Sequence, residues 1–424
     1  MILKLQYGLG FVEAEFRPPR QITELKTKRI ATLQRPEEII NQALDQPIGC
    51  FPFPQLFKKA GHILLLVPDE VHDTGGAYYL PLLLRRLKAL GVSMREVTIL
   101  VASVWGARRN GVPHLIEAEK DREGFPRVVY HDPNEAKSLE YAGETKRGTP
   151  VLVNRLLVDA EYVIICGTSG YHSFAGYRGG PELIVSACSG RETLERNLLL
   201  ACDLAPGRVH PRCYDGVLTG NPVQEDMREA FRLLSFNFLL HTVLNDRNQV
   251  VSAVAGEPLQ AHAAGCHMVD DIYRVPVAQM ADVTIVSCGG HPHDRNFFEA
   301  HRALHHACRV TNPGGTIIFT AECAKGLGSP HLLPANSAEV LRVSAPRELG
   351  HYPPEIVWAL STRQKARDYR IVAVTNLNEK TVNGLGFTPA ASLRVALQIA
   401  QSALGASKLC YLIPQGSTTV PEVV

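Results

Sequence analysis

The stretch with the most chemistry in this chain is GTSGYHSFAGYRGGPE, residues 167–182. It carries His172, Arg178 and Glu182 on a glycine-rich background. Glycines let a backbone approach a ligand and turn its amides inward, which suits an anionic or nucleotide ligand. A second stretch, PDEVHDT at 68–74, gathers Asp69, Glu70, His72 and Asp73. Carboxylates beside an imidazole can bind a divalent cation or move protons, and Asp69 and Asp73 also read as turn or capping residues. SVWGARRNG at 103–111 offers Arg108 and Arg109 for carboxylate or phosphate binding, or as solvated loop charges. Farther on, CGGHPHDRNFFEAHRALHH combines His291, His293, Asp294, Glu299, His301, Arg302, His305 and His306. Helical spacing of four puts His301 and His305 on one face, where we expect a solvated helix surface ahead of a metal pair.

Each stretch follows an apolar run that must deliver it. HILLLVPDE precedes a turn at Gly75-Gly76 and the amphipathic YYLPLLLRRLKALG, capped by Gly91. EVTILVAS at 96–103 and EYVIICGTSG at 161–170 repeat the strand-then-helix pattern, as do ADVTIVSCGG from 281 and NPGGTIIFTAEC from 312. NPGGT lacks the Lys and Ser/Thr of a phosphate loop and reads as a tight turn. Such alternation predicts α/β architecture with mainly parallel sheets, whose ligands sit beyond the carboxyl ends of the strands. Small residues in AVAGEPLQAHAAG suggest a boundary dividing the chain into 1–265 and a smaller 266–424. The loops after Ile165 and Val286 should then face a common interdomain cleft.

Composition narrows the function. The 424 residues carry 44 Lys and Arg against 42 Asp and Glu, with no long single-sign run, which argues against nucleic acid as the partner. The run Ile63 to Val67 is far short of the ~18 apolar residues a membrane span needs. Ten scattered cysteines without a CxxC pair fit reduced thiols, and the start lacks a secretory pattern, so a cytoplasmic protein is expected.

Taken in order, LPLLLRRLKALGV, RGTPVLVNRLLVDAEYVI, HSFAGYRGG, GRETLERN, GNPVQEDM, GGHPHDRN and NPGGTIIFTAEC resemble the lactate racemase family. These enzymes use a nickel-pincer nucleotide to racemise or epimerise 2-hydroxy acids. The resemblance implies two α/β domains with cofactor and substrate in the cleft between them. It also implies two histidines exchanging a proton while the pincer accepts a hydride.

Carried over by position, the family's second catalytic histidine is His172. Its first falls on Gly106, the lysine holding the pincer on Glu182, and the nickel-binding histidine on Leu198. The Tyr-Gln pair and lysine of the second domain fall on Phe298, Glu299 and Arg302, and the DDxTRP signature on residues 69–74. We therefore expect a divergent racemase or epimerase acting on a hydroxylated carboxylate, a 2-hydroxy acid or sugar acid. Its catalytic residues would be His172, Arg178, Glu182 and His72. Substrate would be bound by Asp69, Asp73, Arg108, Asp294, Glu299 and Arg302. The pincer is not expected, and another divalent metal is possible. The alternatives are a metal-dependent lyase or epimerase, and a non-catalytic relative that binds a small acid or nucleotide. Oligomeric state is not set by the sequence.

Overall fold

Two runs of β-branched and aliphatic residues, Ile63–Pro68 and Val97–Ala102, lie almost wholly buried at the centre of a sheet covered on both faces, as their unbroken apolar character requires. The computed structural model describes residues 2–16, 21–28, 34–58, 61–69, 75–103, 124–203, 206–333, 352–406 and 409–424. His72, Asp73 and Arg108 lie outside them. The chain divides into two units, Arg29–Ala201 with Pro211–Ile272, and Met1–Lys28 with Cys202–His210 and Tyr273–Val424. The division differs from 1–265 and 266–424, because position 265 falls inside the helix Pro258–Tyr273. Its small residues serve close packing: a Cβ on Gly265 would lie 2.2 Å from Ser169 Oγ. Among the described residues no helix is long and apolar enough to cross a membrane.

The first unit's main sheet runs Val250–Gly256, Phe238–Leu244, Tyr162–His172, Ile63–Pro68, Val97–Ala102, Arg127–Tyr130. The first of these pairs is antiparallel and the others are parallel. On one face Leu65, Val67, Ile99 and Val101 pack with Tyr79, Leu83 and Leu87 of the helix Gly76–Ala89. Each such fully buried side chain contributes roughly 1.5–3 kcal/mol. Beyond that helix Gly91 takes φ +85°, its N–H donating to Lys88 O, while Val92 N–H donates to Leu87 O.

From Ile63–Pro68 the chain builds outward through Val97–Ala102 and Arg127–Tyr130, then crosses back to lay Tyr162–His172 on the other side. The order therefore reverses between Ile63–Pro68 and Tyr162–His172. Crevices at such reversals, outside the strands' carboxyl ends, are where open α/β sheets bind ligands. Asp69 and the glycine-rich stretch leave from those two ends.

In the second unit six parallel strands run Thr388–Ala390, Arg370–Val374, Thr311–Thr320, Ala281–Ser287, Cys410–Ile413, Ile22–Glu24. One face is covered by the helix Phe297–Cys308. The other is covered by the helix Leu393–Ile399 and by Leu3, Leu5 and Phe16 around the hairpin Ile2–Tyr7/Gly10–Glu15. The pairing Ala281↔Thr311 jumps to Val283↔Thr316, so residues 312–315 form the expected excursion, with Gly314 at φ +77°. The solvated histidine face is corrected: His301 and His306 are fully buried, and His306 Nδ1 donates to Gly416 O at 2.6 Å. The small Ala300, Ala303 and Ala307 bring this helix close against the sheet and take the imidazoles inside.

Candidate functional site

Strand Tyr162–His172 outruns its parallel neighbours and folds back into the short antiparallel strand Gly176–Arg178. The register is His172↔Gly176, Tyr171↔Tyr177 and Arg178↔Gly170. Because side chains alternate between faces, this register sorts the stretch chemically. One face carries Tyr171 and Tyr177, both buried. Tyr171 Oη donates to Asp270 Oδ1 at 2.6 Å, and Tyr177 Oη lies 2.8 Å from both Asp270 oxygens. The other face carries His172 and Arg178, with glycine at positions 170 and 176.

The turn fixes the imidazole. His172 Nδ1 accepts the N–H groups of Phe174 at 3.2 Å and Ala175 at 2.9 Å. A nitrogen accepting two backbone donors carries no hydrogen, so the neutral ring holds its proton on Nε2.

Glu182 stands in the first turn of the helix Pro181–Ala187, and its Oε2 accepts the N–H of Gly179 at 2.9 Å. Between Arg178 and Glu182 the backbone takes φ +85° at Gly179 and +54° at Gly180, both in the positive range that favours glycine. Space matters as much: a Cβ on Gly179 would meet His241 Cε1 at 2.3 Å, and one on Gly180 would meet His262 at 3.0 Å. These imidazoles floor the loop. His262 Nε2 donates to Arg178 O at 3.2 Å, and His241 Nδ1 lies 3.2 Å from Ser169 Oγ. Burial pushes His262 down to about 4 and His241 well below the usual imidazole range, so both are neutral near pH 7.

Asp69 belongs to the same neighbourhood. Burial raises the Cys188 thiol well above its usual range, and the Asp69 and Glu182 carboxylates add to that rise. Asp69 and Glu182 thus both act on Cys188, and they lie with His172 and Arg178 in the first unit. Among the described residues, no group of three His, Cys, Asp or Glu side chains could hold a metal ion.

Asp294, Glu299 and Arg302 belong to the second unit. Asp294 is buried, and its Oδ2 accepts the N–H groups of Gly8 at 2.7 Å and Glu322 at 3.1 Å, bracing two loops. Glu299, in the first turn of the helix Phe297–Cys308, pairs with Arg295 just ahead of that helix. Arg302 adds to the burial that lowers the titration of His293. The sequence reading missed Tyr171 and Tyr177 as a locking pair, Asp270, His241 and His262. The available signal was that both tyrosines sit out of phase with His172 and Arg178 on the two arms of the hairpin; the other three come from distant segments with no local mark.

The residues at the positions implied for the pincer do not fit it. Leu198 is buried on the helix Arg191–Leu199 and presents only alkyl carbon. Glu182 presents a carboxylate, which has no amine with which to carry the group covalently.

Comparison with known proteins agrees with this architecture. Residues 7–203 match the lactate racemase N-terminal domain, and residues 277–344 the lactate racemase C-terminal domain. The lactate racemase of Thermoanaerobacterium thermosaccharolyticum is 27% identical over 392 residues, 91% of this chain and 90% of the relative. That of Lactiplantibacillus plantarum is 26% identical over 294 residues, 69% of this chain and 67% of the relative. The lactate racemase apoprotein structure from T. thermosaccharolyticum aligns with a TM-score of 0.85 at 25% identity, covering 99% of this chain and all of that one. A Thermotoga maritima protein shares the fold, with a TM-score of 0.65 at 15% identity, covering 92% and 98%. With both domain matches in order and an alignment spanning nearly the whole chain, this protein belongs to the lactate racemase family.

Proposed function

We propose that this protein is a racemase or epimerase of small hydroxylated carboxylates, 2-hydroxy acids or sugar acids, working by proton transfer without the covalent nickel pincer. The observation that carries the reading is the convergence of His172, Arg178 and Glu182 on one loop at the sheet's reversal point, with Asp69 leaving the adjacent strand. Leu198 and Glu182 support the part concerning the pincer.

The reaction balances without a redox partner. The C2–H bond breaks, its proton passes to the Glu182 carboxylate, and the electron pair moves into the substrate carboxylate as an enediolate. A proton from the Asp69 carboxyl re-forms the C–H bond on the opposite face. Glu182 then releases its proton to water, from which Asp69 recovers one. His72, Asp73 and Arg108 remain candidate contributors on chemical grounds.

The test is to incubate single enantiomers of lactate, malate, glycerate and gluconate with purified protein and resolve the products by chiral chromatography. Conversion of at least one, abolished in Glu182→Gln, is expected. Retention of every configuration would refute the reading for this panel's substrate class.

A further inference from the structure

We infer that His172 and Arg178 form a donor-only clamp for the substrate's carboxylate, and that His172 is not the base; this rests on the proposed function for its substrate and deepens it. The hairpin face they share reads Gly170, His172, Gly176, Arg178, so no other hairpin side chain stands between the imidazole and the guanidinium. The Arg178 side chain runs beside Gly170, where a Cβ would lie 3.7 Å from Arg178 Cδ. Arg178 O is held by His262, which fixes the backbone from which the guanidinium springs.

The tautomer decides the role of the ring. With Nδ1 accepting from Phe174 and Ala175, Nε2 already bears the proton. Taking a second proton at Nδ1 would set a new N–H against two existing N–H donors. The ring therefore donates, as does a guanidinium with five N–H groups and no acceptor. Two such donors match the two oxygens of a carboxylate and strengthen as it takes on enediolate charge. A neutral imidazole polarising an oxygen while a carboxylate removes the proton is sound isomerase chemistry. Glu182, which accepts from Gly179 through Oε2, is left as the base.

The test uses the whole protein and oxalate, an inert planar dicarboxylate. In ¹⁵N-histidine spectra at pH 7, with His172 assigned from the His172→Asn variant, we expect hydrogen on Nε2 and none on Nδ1, and a shift of Nε2 on adding oxalate. Asn can reproduce the Nδ1 acceptor but not the Nε2 donor, whereas Gln can reproduce the donor but not the acceptor. His172→Asn should therefore keep the melting temperature yet weaken oxalate binding at least 10-fold, and Arg178→Gln should do likewise. His172→Gln should bind within about 3-fold of wild type. A proton on Nδ1, or oxalate affinity unchanged in both His172→Asn and Arg178→Gln, overturns the clamp. Intact oxalate binding with these dependences, but no racemisation of any hydroxy acid, would leave the clamp standing and remove the proposed reaction.

Discussion

Replacing Asp270 with alanine tests whether the tyrosine lock holds the hairpin that carries His172 and Arg178. In the native fold one carboxylate receives two phenol hydrogens, from Tyr171 at 2.6 Å and from Tyr177 at 2.8 Å. A hydrogen bond to a charged acceptor contributes about 1.5–3 kcal/mol, and leaving a buried donor unmet costs a similar amount. Asp270 is only partly buried, so water can reach it, and the lower end applies. Asp270→Ala should then cost about 2–4 kcal/mol in urea unfolding. The transition to follow is that of the first unit, by tyrosine fluorescence together with far-ultraviolet dichroism. A cycle with Tyr177→Phe isolates one bond, and a coupling of about 1–2 kcal/mol is expected between contacting residues. Because the two rings also pack, with centroids 5.4 Å apart, Tyr177→Phe preserves that contact and reads only the hydroxyl. A loss below 0.5 kcal/mol in Asp270→Ala, or a coupling indistinguishable from zero, would refute the lock. Oxalate binding should fall with stability in these variants, since an opened hairpin separates the two donors.

Three further outcomes follow from the same neighbourhood. Gly179→Ala adds a Cβ 2.3 Å from His241 Cε1 at φ +85°, and should lower stability by more than about 2 kcal/mol in the same unfolding measurement. His262 titrates near 4 when folded, against ~6.5 unfolded, because burial disfavours its charge. The unfolded chain binds the extra proton first, so stability should fall as pH drops from about 6.5 to about 4; His262→Gln should flatten that slope in pH-dependent melting. Coexpression with pincer-assembling enzymes should leave the intact mass unchanged, and a covalent adduct within residues 172–190 would show the Glu182 argument to be wrong.

Much of the fold is local and was readable. Apolar runs at 63–68, 97–102 and 281–287 could only be buried strands, and Gly91 could only end its helix as a left-handed residue. Non-local choices were not readable. The alternation of residues 2–15 signals strands, yet nothing in it says that Leu3 and Leu5 pack on Ile285 and Ile318, far along the chain but in the same unit. The small residues of AHAAG look like a linker until Gly265 is seen against Ser169, where close approach demands them. At the site, residue types identified His172, Arg178 and Glu182, but the roles depended on geometry. The His172 tautomer is set by the backbone amides of Phe174 and Ala175, and amides are the same in every sequence. His241 and His262 lie far along the chain from the loop they support, so pattern alone could not assign them to it.

The proposed reaction is proton exchange at the carbon bearing the hydroxyl, performed by side chains of this chain without the pincer. Its most direct test is the entry of solvent deuterium at C2 of single-enantiomer 2-hydroxy acids, followed by proton NMR, with protein whose intact mass equals that of the unmodified chain. C2 deuteration accompanying inversion is expected, reduced on the order of 10²-fold or more in Glu182→Gln. Inversion that retains the original C2 hydrogen in deuterated water, or exchange confined to protein carrying a covalent nickel adduct, would contradict it.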